Sequence, residues 1–384
     1  MQKQRAYYLN GYQTKIKTTV TDCKIGKKGY EIVLEDSCFY PQGGGQASDK
    51  GTLAGQCVLD VQEREGILYH TVAQPLEIGR TVEGEIDWNY RFDLMQQHTG
   101  EHMISGVAYK KYGLHNVGFH MGKEYTTIDF DGKLSPEDVL YLEKKVNQGI
   151  MENRAIQIYY PTKQELEKME YRSKKNLETD VRIVEIPEYD ICACCGIHTK
   201  TTGEIGCVKI LSADAYKNGV RLKMLAGNRA LEDYRKKCEN ADKISHLLCV
   251  PANEIGAAVQ KLKKEKEQLQ WNVNHLEKEQ LLQKAQGVNG EKAIFFETVS
   301  SIKALQHFAN LLQERASFAA VFSGNDKKGY HFILVSKKWD MKRVMKKMQA
   351  IGVCQGGGTA KMVQGKIEAN QKELRAFLEQ SVLE

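Results

Sequence analysis

Four residues of this 384-residue chain have the types and the spacing of metal ligands. His98 and His102 are four residues apart, so on a helix both imidazoles lie on one face and can reach one ion. Cys194 and His198, far along the chain, have a Cys-x3-His spacing. Three nitrogens and one sulfur from two distant segments are typical of a tetrahedral zinc site. We therefore predict one Zn²⁺ per chain at these four residues.

Two other interpretations of these residues stay open. Cys192 and Cys195 form a Cys-x-x-Cys pair, which allows a redox role or a different choice of ligand. The stretch His98–His102 also fits the His-x-x-Glu-His pattern of inverted zinc peptidases, in which Glu101 would activate water. The peptidase interpretation requires a carboxylate as third ligand, and it leaves the Cys-x3-His pair without a function.

A glycine run, Gly43-Gly44-Gly45, is followed by Gln46 within the β-like segment Phe39–Gly51. Consecutive glycines allow the backbone to turn tightly and to approach another surface closely. A phosphate cradle is conceivable, but no Gly-Lys-Ser/Thr follows at the spacing of a nucleotide-binding loop. We therefore predict a hairpin connection rather than a nucleotide site.

The composition is that of a globular protein with several domains. At roughly 100–200 residues per domain, the length predicts two to four. Lys plus Arg number 55 against 49 Asp plus Glu, a net charge of +6 that permits a nucleic-acid partner without requiring one. No apolar run approaches the roughly 20 residues of a membrane helix, and no secretory signal is visible. Ten cysteines without an export signal predict thiols or metal ligands in a cytoplasmic protein.

Strands and helices must bring the two halves of the site together. Residues 1–87 contain short runs rich in Val, Ile and Tyr, which predict a small β-barrel or sandwich. A predicted helix, Tyr90–Tyr112, carries the two histidines. Residues 88–227 mix both types, with a capped helix at Ser135–Asn153 and a strand at Val181–Glu185 that leads into the cysteines.

Residues 228–288 are dense in Lys, Glu, Gln and Leu and are predicted to be helical. A heptad pattern interrupted by Lys266 predicts a long helix or an antiparallel helix pair, with a break at Pro251. The apolar residues at positions a and d are Val259, Leu262, Leu269, Val273 and Leu276. Such a face can join two chains or fold back within one, so a homodimer through this or the C-terminal region is left open.

Residues 289–384 alternate strands and helices and predict a terminal α/β domain. Basic residues that include Lys342 and Lys346 surround its predicted helix Asp340–Ala350, where they could neutralise phosphates. A solvated lysine-rich face explains them equally well. The predicted fold class is α+β with several domains: an N-terminal β-barrel, an α/β domain with the zinc site, a long helical or coiled-coil segment and a C-terminal α/β domain.

In their order along the chain, these motifs resemble those of the AlaX editing proteins of the long type and of the editing half of alanyl-tRNA synthetase. The motifs that carry the resemblance are Phe39–Gly51, His98–His102, Cys194–His198, Thr199–Gly206 and Gly219-Val220-Arg221. Gly356-Gly357-Gly358 resembles a glycine-rich stretch of the synthetase's C-terminal domain. The resemblance covers nearly the whole chain, and the ordered set is specific although each motif alone is not.

The resemblance implies a zinc-dependent hydrolase that removes serine or glycine from mischarged tRNA(Ala). In that family the two His and the Cys-x3-His pair bind zinc. Thr99 and Glu101 are then candidates for positioning water or the amino group. The residues expected to contact tRNA are Gly43–Gln46 in the cleft, Arg221 at the acceptor end, and Lys342, Lys346 and Gly356–Gly358 elsewhere on the tRNA.

Two other function classes fit the same motifs. One is a zinc-stabilised RNA-binding module without catalysis, and the other is the zinc peptidase that would use Glu101. A ligase is not expected, because no block long enough for an adenylate-forming domain precedes the barrel motif.

Overall fold

The computed structural model describes residues 5–173 and 181–380. The chain divides into two compact units, Met1–Asn240 and Ala241–Glu384. Both contain helices and sheets, which confirms an α+β fold with more than one domain, while the finer division at residues 87, 227 and 288 stays a prediction. Within the described ranges no helix is long and apolar enough to cross a membrane.

The first unit begins with a barrel-like sheet, which confirms the β-rich prediction for this part of the chain. A short helix that the sequence did not predict, α1 (Ala6–Leu9), precedes it. Its strands are β1 (Lys15–Gly26), β2 (Gly29–Leu34), β3 (Gly51–Leu53), β4 (Gln56–Val58), β5 (Asp60–Arg64), β6 (Ile67–Val72) and β7 (Thr81–Ile86). Their order across the sheet is β4-β3-β7-β1-β2-β6-β5, and neighbouring strands are antiparallel. Alternate residues such as Val20, Ile32 and Val72 fill the core.

Helix α2 (Trp88–Tyr112) lies at the centre of the first unit and confirms the predicted helix. The Asp87 side chain caps its start by accepting a backbone N–H of the first turn. Gly113 ends it in the left-handed conformation, at φ 67°. Every residue from Leu94 to Ala108 is buried, so this part of the helix is enclosed on all sides.

Two smaller sheets and further helices enclose α2. The helices are α3 (Pro136–Met151), α4 (Lys163–Leu166) and a 3₁₀ turn at Gly203–Ile205. The strands are β8 (Asn116–Met121), β9 (Thr126–Phe130), β10 (Gln157–Tyr159), β11 (Ile183–Ile186), β12 (Asp190–Ala193), β13 (Val208–Tyr216) and β14 (Gly219–Ala226). They form an antiparallel sheet in the order β13-β14-β9-β8 and another in the order β10-β11-β12. Ser135 and Asp138 form the predicted capping box of α3.

The predicted helical segment contains two helices, α5 (Gly227–Leu248) and α6 (Ile255–Gln286). Pro251 and a 3₁₀ turn at Ala252–Glu254 separate them, which confirms the predicted break. The heptad residues of α6 are all exposed, from 48 % for Val259 to 64 % for Leu269 and Leu276. Pairing of this face with another helix stays a prediction.

The second unit has a mixed sheet covered by three helices. Its strands are β15 (Gly290–Phe296), β16 (Ala316–Asn325), β17 (Gly329–Ser336), β18 (Val353–Gly358) and β19 (Met362–Glu368), in the order β15-β16-β17-β19-β18. Its helices, beside the end of α6, are α7 (Ile302–Gln313), α8 (Met341–Met348) and α9 (Gln371–Gln380). Strands β18 and β19 and helix α9 were not predicted. The triple glycine at the end of β18 has the composition of a turn, and only pairing with β19 makes it a strand.

Candidate metal centre

The structure brings together the four predicted metal ligands. His98 and His102 lie one turn apart on α2, and Cys194 and His198 lie in the loop that follows β12. One ligand atom from each side chain lies within 4.8 Å of the others. Three of the four residues are buried, and Cys194 is half-buried. Segments almost a hundred residues apart in the chain therefore meet at one point.

The spacing of the ligand atoms fits a tetrahedral zinc ion. The Cys194 Sγ lies 3.5 Å from His98 Nε2 and 3.4 Å from His198 Nε2. Zn–S and Zn–N bonds of ordinary length, at the tetrahedral angle, place sulfur and nitrogen about 3.6 Å apart. The ring of His102 is 4.5 Å from that of His198 and 5.2 Å from that of His98, which completes the cluster. The donor set and its dimensions both fit Zn²⁺.

Each histidine of the centre uses its Nδ1 for an oxygen of the protein. His98 Nδ1 lies 2.9 Å from Gln46 Oε1, and His102 Nδ1 lies 2.9 Å from Asp190 Oδ2. His198 Nδ1 lies 3.4 Å from Thr99 Oγ1, whose hydroxyl donates to the carbonyl of Met95. An oxygen at Nδ1 fixes the tautomer and leaves Nε2 of each ring for an ion.

Charges and burial in the cluster favour the metal-binding forms of Cys194 and His198, whereas His102 holds a proton. Burial raises the pKa of the Cys194 thiol, but the three imidazoles facing it more than offset this and hold the pKa well below its ordinary value. Burial and the neighbouring imidazoles lower the pKa of His198 to about 3, so this ring is neutral. Burial lowers the pKa of His102, but Cys194 and Asp190 raise it to about 10, and a metal ion would displace the proton held there.

The loop that carries Cys194 and His198 is held by its backbone carbonyls. The hydroxyls of Tyr8 and Tyr40 donate to the carbonyl of Cys195, at 3.0 and 3.2 Å. Arg182 Nη1 donates to the carbonyls of Cys194 and Gly196, at 2.8 and 2.9 Å. Side chains from α1, from the loop between β2 and β3 and from the residue before β11 therefore hold the backbone of the loop that carries the thiol.

Glycines allow the loops to approach His98 from two sides. A Cβ on Gly196 would lie 2.0 Å from Cε1 of the His98 ring, so only glycine fits there. Gly44 and Gly45 have φ of 59° and 85°, and the backbones of Gly43 and Gln46 bond to each other across this turn. The glycine run is therefore a tight turn, but it is not a hairpin connection between strands of the sheet, because β2 and β3 on either side of it are not neighbours. The turn delivers the buried Gln46 side chain to His98.

Phe119 on β8 closes the same side of the centre. Its ring stacks on His98, with centroids 5.1 Å apart, and a Cβ on Gly45 would lie 2.7 Å from it. The glycine turn, the metal-site histidine and this aromatic ring therefore form one continuous wall.

Glu101 lies beside the four-residue cluster and is 2 % exposed. Its Oε1 accepts from Ser105 Oγ at 2.7 Å and from the side-chain amide of Asn116. Its Oε2 is 3.9 Å from His102 Nε2. Ser105 and Asn116 thus hold Oε1 in place, while Oε2 lies close to the His102 nitrogen that is left for a metal ion.

Arg221, which is predicted to contact the acceptor end of tRNA, lies apart from this cluster within the first unit. Arg221 on β14 donates to both carboxylate oxygens of Asp129 on β9, at 2.6 and 2.7 Å. The register pairs Asp129 with Gly118, while Phe119 pairs with the buried Ile128, so Arg221 lies on the opposite face of this sheet from the metal centre. In the second unit, Lys342 and Lys346 are exposed on α8, and Gly356–Gly358 are exposed on β18.

Sequence reasoning missed the residues that orient the ligands. Asp190 lies just before the cysteines, and the predicted role of Gln46 was to line a cleft rather than to hold a histidine. Tyr8, Tyr40 and Arg182 gave no signal, because their function is to bond backbone carbonyls that only the fold brings near. The available signals were the carboxylate of Asp190 just before the cysteines and the amide of Gln46 just after the glycine run.

Two family models match this fold and site. The model described as "Threonyl and Alanyl tRNA synthetase second additional domain" matches residues 181–222, which contain Cys194 and His198. The model described as "tRNA synthetases class II (A)" matches residues 8–90. These two stretches of the chain are therefore similar to domains of tRNA synthetases.

Individual relatives show which family the chain belongs to. The alanyl-tRNA editing protein AlaX-L of Pyrococcus horikoshii is 28 % identical over 97 % of this chain and 96 % of its own length. The alanyl-tRNA editing proteins Aarsd1 of Rattus norvegicus and Aarsd1-B of Xenopus laevis are 32 % and 34 % identical, each over 68 % of both chains. The chain belongs to the family of alanyl-tRNA editing proteins. A solved C-Ala domain of the Aquifex aeolicus alanyl-tRNA synthetase matches 24 % of this chain and 90 % of that chain at 22 % identity, with a TM-score of 0.20 that adds nothing to the assignment.

Proposed function

We propose that this protein is a trans-editing hydrolase that deacylates tRNA(Ala) mischarged with serine or glycine, in the cytoplasm, at a zinc centre. The observation that carries the proposal is the meeting of His98, His102, Cys194 and His198 at zinc-site distances in a member of the alanyl-tRNA editing family. A zinc peptidase would leave two of these four ligands without a function.

The four ligands would hold one Zn²⁺. Bound there, the ion would supply electrophilic chemistry, polarising an ester carbonyl or lowering the pKa of a water molecule toward about 7. Four protein ligands ordinarily close a zinc site, so the half-buried Cys194 is the ligand that we expect to leave room for substrate.

Glu101 is the group that we propose as general base. Its Oε2 would accept a proton from the water that attacks the aminoacyl ester, and that proton would then pass to the ribose oxygen as the ester bond breaks. Ser105 and Asn116 hold the other oxygen, so the carboxylate keeps its orientation during the transfer. Thr99 acts as a positioning residue, since its hydroxyl contacts His198 and accepts the backbone N–H of Thr199 at 3.1 Å.

Selectivity for serine requires a polar group that an alanine side chain leaves unpaired. The Gln46 side chain is 1 % exposed, and its Nε2 has no hydrogen-bond partner among the described residues. A buried amide donor without a partner is costly, and a substrate oxygen placed there would satisfy it. We therefore propose that Gln46 contacts the aminoacyl group and that Gly43–Gly45 form the wall beside it.

The remaining contacts with tRNA belong to surfaces that carry positive charge or bare backbone. Lys342 and Lys346 project from α8 beside other basic residues, and Gly356–Gly358 leave the last three positions of the edge strand β18 without side chains. Arg221 stays the candidate for a contact with the acceptor end. Pairing of two chains through α6 or the second unit is part of the same proposal, because the exposed heptad face of α6 has the pattern of a helix that pairs.

Deacylation of charged tRNA by the purified protein tests the proposal. Ser-tRNA(Ala), Gly-tRNA(Ala) and Ala-tRNA(Ala) are compared at equal concentrations. We expect the mischarged serine substrate to lose its amino acid at least about tenfold faster than Ala-tRNA(Ala), because discrimination by a polar pocket is large. A protein that binds zinc and tRNA but leaves all three esters intact would instead be an RNA-binding module.

A further inference from the structure

An arginine lies behind the metal centre and takes no part in the proposed reaction. Arg172 Nε and Nη2 each donate to a different carboxylate oxygen of Asp190, both at 2.7 Å. The oxygen Oδ2 that accepts from Nη2 also accepts from His102 Nδ1, at 2.9 Å. These three side chains form a continuous series of hydrogen bonds that leads to the ring of His102, whose Nε2 is left for a metal ion.

These three hydrogen-bonded side chains are almost completely buried. The side chains of Arg172, Asp190 and His102 are 10 %, 1 % and 3 % exposed. A buried carboxylate without a cationic partner is strongly destabilising, so Arg172 offsets the cost of burying Asp190. The two bonds from Arg172 fix the carboxylate opposite the N–H of His102, and an acceptor held in that position orients the ring as a ligand.

The backbone holds Arg172 and Asp190 against α2. A Cβ on Gly106, one turn after His102, would lie 2.6 Å from the Cβ of Asp190, so glycine allows the strand to approach the helix. The N–H of Arg172 donates to the carbonyl of Ile191 at 2.8 Å, and its carbonyl accepts from Ala193 N at 2.9 Å. Arg172 is therefore fastened to β12, the strand that begins with Asp190.

A competing set of ligands lies at the same place. His102, Asp190 and Cys192 also have ligand atoms within 4.8 Å of one another. This set would take His102 and leave the other three ligands of the main centre incomplete. Because Arg172 bonds to both oxygens of Asp190, the competing set lacks its carboxylate.

We propose that Arg172 is a positioning residue of the metal centre. It holds Asp190 as the acceptor for His102 Nδ1–H, and it withholds that carboxylate from the metal. The inference rests on the proposed function only in requiring that the centre of His98, His102, Cys194 and His198 binds zinc.

Metal binding by Arg172→Gln and Arg172→Lys tests this role. Zn²⁺ affinity is measured by competition with a chromophoric chelator, and the ligand set is monitored by the absorption spectrum of the Co²⁺-loaded protein. We expect about 10- to 100-fold weaker Zn²⁺ binding in Arg172→Gln, with an altered Co²⁺ spectrum. Arg172→Lys should fall between this variant and the wild type, since lysine keeps the charge but loses the two-pronged geometry.

Arg229→Gln is the matched control. Arg229 also donates through Nε and Nη2 to one carboxylate, that of Asp93 on α2, at 2.8 and 2.6 Å, but outside the metal centre. This variant should keep wild-type affinity and spectrum. Wild-type values in Arg172→Gln would overturn the inference while zinc binding by the wild type leaves the proposed function standing. A wild type that binds no zinc would overturn both.

A second variant covers the case in which Arg172→Gln does not fold. The double variant Arg172→Gln/Asp190→Asn removes both buried charges together and keeps an oxygen opposite His102 Nδ1. We expect it to fold and to bind Zn²⁺ more weakly than the wild type, since a neutral amide is the weaker acceptor. Wild-type affinity in the double variant would overturn the inference.

Discussion

Single atoms decide the chemistry of the candidate centre. Gln46, Thr99 and Asp190 each place an oxygen at the Nδ1 of one histidine, so the three Nε2 atoms are directed at one place. At this scale the loss of one oxygen, or the gain of one methyl group, should change metal binding or hydrolysis without altering the fold.

Glu101→Gln should separate hydrolysis from metal binding. The amide keeps a partner for Ser105 but cannot accept a proton, so we expect deacylation of Ser-tRNA(Ala) to slow by at least about a hundredfold. Zinc content should stay at one ion per chain. Single-turnover deacylation measures the first quantity, and elemental analysis measures the second.

Glu124→Gln, at an exposed position between β8 and β9, is the control and should leave the rate unchanged. If Glu101→Gln deacylates at the wild-type rate, Glu101 is not the base.

Gly196→Ala should weaken metal binding by about tenfold or more. The added Cβ would lie 2.0 Å from the His98 ring, so the ring or the loop must move away from the common point. Chelator competition measures the affinity. Gly256→Ala is the control, because a Cβ there meets nothing within 4 Å. Equal affinities in the two variants would show that the loop can move at no cost to the site.

Sequence patterns could predict the ligands but not the atoms that orient them. Cys-x3-His and His-x3-His spacings are local, and the two together indicate a metal site although neither is specific alone. The partner of each Nδ1 comes from another segment, 52 residues away for Gln46 and 88 for Asp190. Distances of that kind are set by the packing of strands on α2, which local spacing does not record.

Elements position the site through burial rather than through surface contacts. Helix α2 is enclosed from Leu94 to Ala108, and it carries two ligands and Glu101 on one buried stretch. The barrel-like sheet beside it has a buried titratable group of its own. His70 on β6 accepts from Ser37 Oγ at Nε2, 2.7 Å away, and donates from Nδ1 to the carbonyl of Ile32 at 3.1 Å.

This histidine should make the first unit less stable in mild acid. Burial lowers the pKa of His70 to about 4, from an ordinary value near 6.5, and the bond to Ile32 only partly opposes this. Between these two pH values the unfolded chain binds a proton that the folded chain does not. The contribution of the neutral His70 ring to the free energy of unfolding is therefore present above pH 6.5 and is lost as pH falls toward 4. The loss amounts to about 3 kcal/mol.

Urea unfolding at several pH values between 4 and 7 checks this effect. His70→Gln should be less stable than the wild type at pH 7 but should lose less free energy of unfolding on acidification. His115→Gln changes an exposed histidine and should keep the wild-type slope. Identical slopes for the wild type and His70→Gln would contradict the account.

Element types were predictable where the pattern is strongly periodic. Helices α2 and α3 lie within a few residues of their predicted bounds, because their apolar spacing and caps are explicit. The apolar run 57–61 has the composition of one strand, but it is divided between β4 and β5 at Leu59, which is 55 % exposed. Its apolar residues look continuous in sequence, whereas their pairing partners in the sheet are different strands.

On the scale of the whole molecule, the first unit contains the candidate centre and the second unit contains the basic helix α8. The helical periodicity of α8 places Met341, Val344 and Met348 in the core and leaves its lysines and arginine exposed. The proposed function assigns this exposed face to the phosphates of tRNA.

Lys342→Gln/Lys346→Gln should weaken tRNA binding and its dependence on salt. Each phosphate contact removed lowers the slope of log affinity against log salt concentration by about 1. Filter binding at several salt concentrations measures both quantities. Lys263→Gln/Lys264→Gln, on the exposed face of α6, removes the same charge and should leave the slope unchanged. Equal slopes in all three proteins would remove α8 from the tRNA interface.

The central claim is that two distant segments of the chain close around one zinc ion. X-ray absorption at the zinc edge of the purified protein tests it most directly. We expect one zinc per chain with three nitrogens at about 2.0–2.1 Å and one sulfur at about 2.3 Å. A protein that deacylates Ser-tRNA(Ala) without zinc, or a zinc shell that lacks sulfur, would contradict the claim.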